Sequence, residues 1–105
     1  MIFLGVRYEF SCSACGYKTV ISGERDRGLR FGTVTITCKD CKELYDVRVT
    51  EENEHPSKVF DPKWKLPPLY CPKSKDHSVK EWNHPDKCPK CGEKIERGPG
   101  VLEWD

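Results

Sequence analysis

The chain has 105 residues, of which 36% are hydrophobic and 33% are charged, and its formal net charge is +1. This length fits one domain or two very small ones, and a unit below roughly 70–80 residues rarely folds on an apolar core alone. A net charge so close to zero excludes a global basic field that would draw the chain to nucleic acid.

Short runs of apolar, aromatic and β-branched residues in the first half of the chain are typical of β-strands. The charged loop from Ser22 to Gly28 contains two glycines and predicts a turn between strands. No segment shows a helical period over ten residues, so we expect a β-rich fold. The predicted strands are Ile2 to Phe10, Tyr17 to Ile21, Gly32 to Thr37 and Leu44 to Val49.

Residues 51–70 lack strand patterns and are punctuated by proline at positions 56, 62, 67 and 68. Such a segment predicts a proline-stiffened connector rather than a flexible Gly/Ser linker. Its aromatic residues, Phe60, Trp64 and Tyr70, indicate that parts of it pack on the rest of the protein.

The last predicted strands flank a Gly98-Pro99-Gly100 sequence. Glu93 to Arg97 lies on one side of it and Val101 to Trp104 on the other. Glycine and proline between two such runs predict a terminal β-hairpin.

The seven cysteines favour metal ligation over disulfides, because seven is odd and most of them stand in Cys-x-x-Cys pairs. Cys12/Cys15 and Cys38/Cys41 are two such pairs, each next to a predicted strand end. Gly16 follows the first pair, where the backbone must turn toward the sulfurs and a positive φ is least costly for glycine. Two pairs supply the four thiolates of a tetrahedral zinc ion.

A second set of candidate ligands lies downstream. Cys88 and Cys91 form a complete Cys-Pro-Lys-Cys knuckle, whereas Cys71 is followed by Ser74 where a second cysteine would complete its knuckle. Serine is a poor zinc ligand, so we expect a nearby imidazole to supply the fourth donor.

Two histidines compete for that fourth position. His77 is favoured, because a hairpin starting at the next residue would return it to Cys88. His84 precedes Pro85, which biases it to extended backbone and suits a turn tip away from the metal. A third alternative is an open position that holds water.

The sequence leaves open which pairs share an ion. In a sequential arrangement neighbouring pairs combine, and in a cross-braced arrangement alternate pairs combine. Short loops close with less entropy loss than long ones, and the hairpin patterns lie inside each sequential set, so we expect sequential pairing and two zinc ions. The predicted ligands are Cys12, Cys15, Cys38 and Cys41 for one ion and Cys71, His77, Cys88 and Cys91 for the other.

The three complete knuckles, Cys12 to Tyr17, Cys38 to Leu44 and Cys88 to Gly92, resemble those of zinc-ribbon proteins. More narrowly, they resemble a group of small uncharacterised bacterial proteins with two zinc ribbons in tandem. This resemblance covers about half the chain and implies a metal-stabilised β-hairpin around each ion, without implying an activity. It implies a first zinc ribbon in residues 1–50, a connector in residues 51–70 and a second ribbon in residues 71–105.

The first and last knuckles also resemble the two knuckles of rubredoxin, an iron electron carrier. Four thiolates accept iron or zinc. On the sequential pairing, however, Cys38 and Cys41 are the nearer partners of Cys12 and Cys15, which weakens this resemblance.

For the function, we expect a non-catalytic module that binds a protein or nucleic-acid partner; the alternatives are a rubredoxin-like electron carrier and a zinc enzyme with an open second site. Neither His77 nor His84 starts the His-x-Glu sequence of a zinc deaminase, and no small-molecule substrate is evident.

The candidate partner surface combines aromatic residues with lysines, as in single-strand binders. Its members are Phe60, Trp64, Tyr70 and Trp82 with Lys58, Lys63, Lys65, Lys73 and Lys75.

The expected location is the cytoplasm. The segment from Met1 to Val6 lacks the basic leader of a signal peptide, and no run approaches the roughly 20 apolar residues of a membrane helix. Free cysteines persist in a reducing compartment, where they serve as metal ligands.

Overall fold

The computed structural model describes residues 5–104, and its regular structure is almost entirely β. The prediction of a small β-rich fold is confirmed. The strands are β1 Gly5–Ser11, β2 Lys18–Ile21, β3 Asp26–Arg27, β4 Gly32–Cys38, β5 Glu43–Arg48, β6 Val79–Glu81 and β7 Glu96–Trp104, with a short 3-10 helix at Pro56–Phe60. Residues 2–4 of the first predicted strand lie outside the described residues.

The first sheet has the order β2-β1-β7, and both pairings are antiparallel. β1 and β2 form the hairpin expected around the first knuckle, with Ser11 opposite Lys18. β7, from the other end of the chain, covers the free edge of β1, so that Ser11 also lies opposite Glu96. This sheet therefore joins the two ends of the described chain.

The predicted terminal hairpin is wrong. β7 is one nine-residue strand along β1, and its register shifts twice. At one shift Gly98 and Pro99 lie opposite the single residue Glu9. Proline lacks the N–H of a regular ladder and is tolerated at a bulge, and a Cβ on Gly98 would lie 2.9 Å from the Glu9 carbonyl oxygen. The glycines and proline thus bend a strand rather than reverse it.

The second sheet is built around β4, and all seven residues of β4 are buried. β5 pairs with it along its length, while β3 and β6 pair with its beginning and its end. Val34 and Ile36 are fully buried, and the three threonines between and beside them are buried as well, because β4 is the central strand. The β6 pairing places Val79 opposite Cys38.

A polar link joins the two sheets. The Asp46 carboxylate accepts hydrogen bonds from the Ser22 N–H at 2.8 Å and the Thr35 hydroxyl at 2.6 Å, and Arg7 Nε lies 3.2 Å from it. Burial raises the pKa of Asp46, although Thr35, Ser22 and Arg7 act in the opposite direction. Buried polar groups need such partners, and here the partners come from both sheets.

The main apolar cluster lies between the sheets and beside two of the cysteine knuckles. The Phe10 and Trp82 rings meet edge to face with centroids 5.7 Å apart. The Trp82 indole N–H donates to the Lys87 carbonyl at 2.8 Å, which fixes the chain entering the last knuckle. The buried members of the cluster are Phe10, Cys12, Tyr17, Ile21, Leu44, Trp82, Cys88 and Ile95.

The connector contacts the second sheet through its 3-10 helix, where the Val59 side chain is fully buried. Among residues 5–104, no helix has the length and apolar character needed to cross a membrane.

Candidate metal centres

The first and last cysteine pairs form the same tight turn. In the first, the Gly16 N–H donates to the Cys12 carbonyl at 2.8 Å, and the Cys12 N–H donates to the Tyr17 carbonyl at 2.9 Å. The last pair repeats both bonds: the Gly92 N–H donates to the Cys88 carbonyl at 2.9 Å, and the Cys88 N–H donates to the Glu93 carbonyl at 2.8 Å. Both glycines have positive φ, 80° and 77°, as predicted for Gly16. Two equivalent knuckles therefore present their sulfurs in the same way.

The middle pair forms this turn without a glycine. The Lys42 N–H donates to the Cys38 carbonyl at 2.8 Å, and Lys42 itself has a φ of 55°. The Cys41 N–H points at the Cys38 sulfur at 3.4 Å. A lysine in the left-handed region is strained by about 1–2 kcal/mol, so the knuckle geometry is maintained against a local cost.

The incomplete knuckle at Cys71 also directs a backbone N–H at its cysteine sulfur. The Lys73 N–H points at the Cys71 sulfur at 3.4 Å. The Ser74 hydroxyl accepts the Asp76 N–H at 3.2 Å, and its carbonyl accepts the His77 N–H at 3.3 Å. Ser74 thus closes the turn that presents His77.

The first centre combines the first and last knuckles, with Cys12, Cys15, Cys88 and Cys91 grouped so that their sulfurs lie within 4.8 Å of one another. The Cys12–Cys91 and Cys15–Cys88 sulfur pairs are 3.6 and 3.7 Å apart. A disulfide would need about 2.05 Å. Sulfurs at about 2.3 Å from a tetrahedral ion lie about 3.8 Å apart, which matches this group.

The second centre combines the middle knuckle with Cys71 and His77. The Cys41 and Cys71 sulfurs are 3.8 Å apart, and His77 Nδ1 lies 3.5 Å from the sulfurs of both Cys38 and Cys41. Metal–sulfur and metal–nitrogen bonds of about 2.3 and 2.0–2.1 Å place these atoms about 3.5 Å apart in a tetrahedron. Each group can therefore hold one metal ion with four protein donors.

The expected sequential pairing is wrong. All eight predicted ligands lie in the two centres, but their pairing is nested, which is neither the sequential nor the cross-braced arrangement: Cys12/Cys15 combine with Cys88/Cys91, and the two pairs between them in the chain, Cys38/Cys41 and Cys71/His77, combine with each other. Strand pairing is the cause. The β1–β7 ladder brings the last knuckle to the first, and the β4–β6 ladder brings His77 to Cys38. The picture of two ribbons each closed within its own part of the chain fails for the same reason.

His84 lies in neither centre. Its ring packs against Phe10 with centroids 5.6 Å apart, and the backbone N–H of His84 donates to the Gly23 carbonyl at 2.7 Å. The turn that contains it is closed by the Asp86 N–H and the Asn83 carbonyl. The predicted preference for His77 over His84 agrees with this placement, although His77 approaches Cys38 and not Cys88.

The thiols of the first centre differ in acidity. Burial raises the pKa of Cys12, but the backbone N–H of Cys15 and the Cys91 thiol outweigh it and lower this pKa to about 7. The Glu93 N–H acts to lower the pKa of Cys91, yet burial and the three neighbouring sulfurs raise it to about 12. One thiolate thus opposes the ionisation of the next, and a divalent cation removes that opposition.

The second centre shows the same pattern. Burial raises the pKa of Cys71, but the Lys73 N–H, His77 and the Ser74 N–H outweigh it and lower this pKa to about 6. The neighbouring Cys41 thiol and burial raise the pKa of Tyr45, which favours the neutral phenol. A donor set of thiolates and one imidazole suits a borderline-soft divalent ion.

A direct link joins the two centres, and no local sequence pattern indicates it. The Tyr17 hydroxyl, beside the first knuckle, donates to Glu43 at 2.7 Å and accepts the Leu44 N–H at 3.1 Å. Glu43 lies two residues after Cys41 and pairs with Lys90, inside the last knuckle, at 3.1 Å. The Tyr17–Glu43–Lys90 link therefore fixes the position of one centre relative to the other.

The predicted aromatic and lysine surface is divided in the fold. Trp82 is only 2% exposed and belongs to the core, whereas Phe60 and Tyr70 are 54% and 53% exposed. Trp64 is half-buried beneath the Arg25 guanidinium, at 5.5 Å. The four aromatic rings therefore do not form one platform.

Comparisons with protein-family models, with curated proteins and with solved structures find no match to this chain. The fold and the two centres define a small β-rich protein with two cysteine-rich clusters, each able to hold a metal ion. The two clusters are compatible with zinc-ribbon-like metal sites.

Proposed function

We propose that the protein is a cytoplasmic zinc protein in which two structural ions stabilise a β scaffold for recognising another molecule. The observation that supports this most is the four-donor geometry of both centres, with sulfur–sulfur distances of 3.6–3.8 Å. Three thiolates with one imidazole, and four thiolates, are both donor sets of structural zinc. The residues that would hold the ions are the eight cluster members, and bound zinc would supply the cross-links that the small core lacks.

A scaffold role is favoured over catalysis by the number of donors. A catalytic zinc keeps one position for water or substrate, whereas a structural zinc has four protein ligands. His77 supplies the fourth donor that the Cys71 half-knuckle lacks. With all four donors bound, neither centre offers a position at which water could be activated.

Cobalt substitution tests this proposal. The protein is purified without added metal, its zinc is measured by elemental analysis, and zinc is then replaced by cobalt. We expect two zinc ions and a tetrahedral cobalt spectrum that azide or cyanide leaves unchanged. A spectrum that shifts on adding either anion would reveal an open position and overturn the structural assignment.

Electron transfer is a second candidate, because the first centre unites the two knuckles that resemble rubredoxin. Its Cys15 and Cys91 are exposed, while Cys12 and Cys88 are buried, so one edge of a bound ion is close to solvent. Four thiolates accept iron as well as zinc. Protein purified from cells grown in iron-rich medium would be red and reversibly bleached by dithionite if it carries electrons; a colourless protein with two zinc ions supports the scaffold.

A further inference from the structure

A cleft of about 580 Å³ opens between the two metal centres. β4 and β6 form one side of it, and the loop entering the last knuckle forms the other, so that Cys38 of one centre and Cys88 of the other border it. Its size lies within the range of small-ligand sites, roughly 300–1,000 Å³. The residues that line it are Thr37, Cys38, Lys39, Lys42, Lys80, Trp82, Pro85, Asp86, Lys87, Cys88 and Pro89.

The charged side chains that line the cleft are mostly positive. Four lysines, Lys39, Lys42, Lys80 and Lys87, converge from three segments of the chain, and the only acid among the lining residues is Asp86. One Asp86 carboxylate oxygen already accepts the Asn83 N–H at 3.0 Å. A cleft lined by charges of one sign concentrates the opposite charge within it.

Among the described residues, the four ammonium groups have no ion-pair partner. Within residues 5–104, none of them lies within 4.0 Å of a carboxylate, whereas the nearby Lys90 pairs with Glu43 and Lys58 pairs with Glu54. All four side chains are exposed, so they can order around a ligand without first leaving a partner.

The charge of the centres themselves must be included. A zinc ion with four thiolates carries a formal charge of about −2, and one with three thiolates and an imidazole about −1. The cysteines that border the cleft are buried, at 0% and 3% exposure for Cys38 and Cys88, and the lysines are exposed. A ligand in the cleft therefore meets the ammonium groups first and the thiolates only behind them.

We propose that this cleft binds a small ligand bearing two or more phosphate groups. Lysine is a compact point charge with three donors and suits phosphate oxygens, and the Thr37 hydroxyl offers one further donor at the wall.

The cleft favours a small anion over a nucleic-acid strand. Single-strand binders add exposed aromatic rings on which bases stack, but the only ring in the lining is Trp82, which is 2% exposed. Two divalent ions and seven thiolates also lower the formal charge of the protein from +1 to about −2. A long polyanion would meet that overall negative charge, while a ligand confined to the cleft would meet mainly the lysines.

Tripolyphosphate is the probe, titrated into the metal-loaded protein at low ionic strength and followed by amide chemical shifts in ¹H–¹⁵N spectra. Elemental analysis after each titration verifies that the ions are retained. The cleft variant is Lys80→Gln/Lys87→Gln, and its control is Lys63→Gln/Lys65→Gln on the connector. Both variants remove two positive charges, so a purely global charge effect would be the same in each.

We expect saturable binding of one tripolyphosphate, with shifts concentrated around Thr37 and Lys80. Affinity should fall about tenfold in the cleft variant, little in the control, and further as salt is raised. No saturable binding, or an equal loss in both variants, overturns the proposal. An eight-nucleotide single strand that binds through Lys80 and Lys87 while tripolyphosphate does not would assign the cleft to nucleic acid instead.

Discussion

Replacing Tyr17 by phenylalanine should destabilise the protein by removing one hydroxyl group between the two centres. That hydroxyl donates to Glu43 at 2.7 Å and accepts the Leu44 N–H at 3.1 Å. Phenylalanine keeps the ring and its packing in the apolar cluster. The substitution therefore isolates the two hydrogen bonds from the burial of the side chain.

The expected loss follows from the two bonds. A hydrogen bond to an ionised group contributes about 1.5–3 kcal/mol, and a buried N–H left without a partner costs about 1–3 kcal/mol. Glu43 keeps its contact with Lys90, and its side chain is 36% exposed, so water replaces part of the first bond. Leu44 is only 3% exposed, so water replaces little of the second. Together we expect a loss of about 2–4 kcal/mol.

Urea denaturation of the metal-loaded protein measures this loss, at one fixed free metal concentration because bound metal adds to stability. Tyr8→Phe is the matched control. The Tyr8 ring is half-buried and packs under Arg97 at 4.8 Å, and its hydroxyl makes no hydrogen bond within residues 5–104. The control should change the free energy of unfolding by less than about 0.5 kcal/mol. Equal losses in the two variants would refute the role assigned to the Tyr17 hydroxyl.

The remaining predictions concern the metal ions, the turns of the middle and last knuckles, and pH. His77→Ala should remove one of two metal ions per chain and His84→Ala neither, by elemental analysis; a wild-type content of one ion would contradict the two-centre geometry. Because the knuckle turn needs positive φ, Lys42→Gly should raise the free energy of unfolding by about 0.5–1 kcal/mol, and Gly92→Ala should lower it by about 1–2 kcal/mol. Urea denaturation measures both changes. Urea midpoints in the reverse order would show that φ does not determine the stability of these turns. Burial raises the pKa of Tyr17 from 10 to about 12, which favours the neutral phenol in the folded protein. The contribution of the Tyr17 phenol to stability should therefore be complete below pH 10 and should disappear as the pH rises toward 12. An ultraviolet difference titration of the wild type against Tyr17→Phe follows the ionisation of this phenol. A step at pH 10 would argue against the raised pKa.

The strand content and the ligand positions were predictable because both depend on local patterns. Alternating β-branched residues mark β4, and the three-residue spacing of paired cysteines marks each knuckle. The positive φ at Gly16 followed from the same spacing. These features need only neighbouring residues.

The pairing of the knuckles was not predictable from loop length. Cys15 and Cys38 are 23 positions apart, while Cys15 and its observed partner Cys88 are 73 apart. Loop-closure entropy grows so slowly with length that this difference amounts to only about 1 kcal/mol. Structural zinc contributes about 10–16 kcal/mol in either pairing. The contacts of β7 with β1 and of β6 with β4 determine which knuckles share an ion, and no local sequence pattern predicts these contacts.

The last strand illustrates a second limit. Gly98-Pro99-Gly100 is compatible with a turn or with a bulge, and both leave proline without a ladder partner. Whether a neighbouring strand exists at that position depends on β1, about 90 positions away in the chain, which a window centred on the glycines does not contain.

Nested pairing of the knuckles has a consequence for a chain cut in the connector. Each centre takes two donors from residues before position 50 and two from residues after position 70. A protease that cleaves a single peptide bond near the exposed Phe60 would therefore produce two pieces, each carrying half of both centres. The pieces would remain together as long as the ions stay bound, and they would separate on a denaturing gel or after chelation. Metal, more than the continuity of the backbone, would then determine whether the molecule behaves as one body.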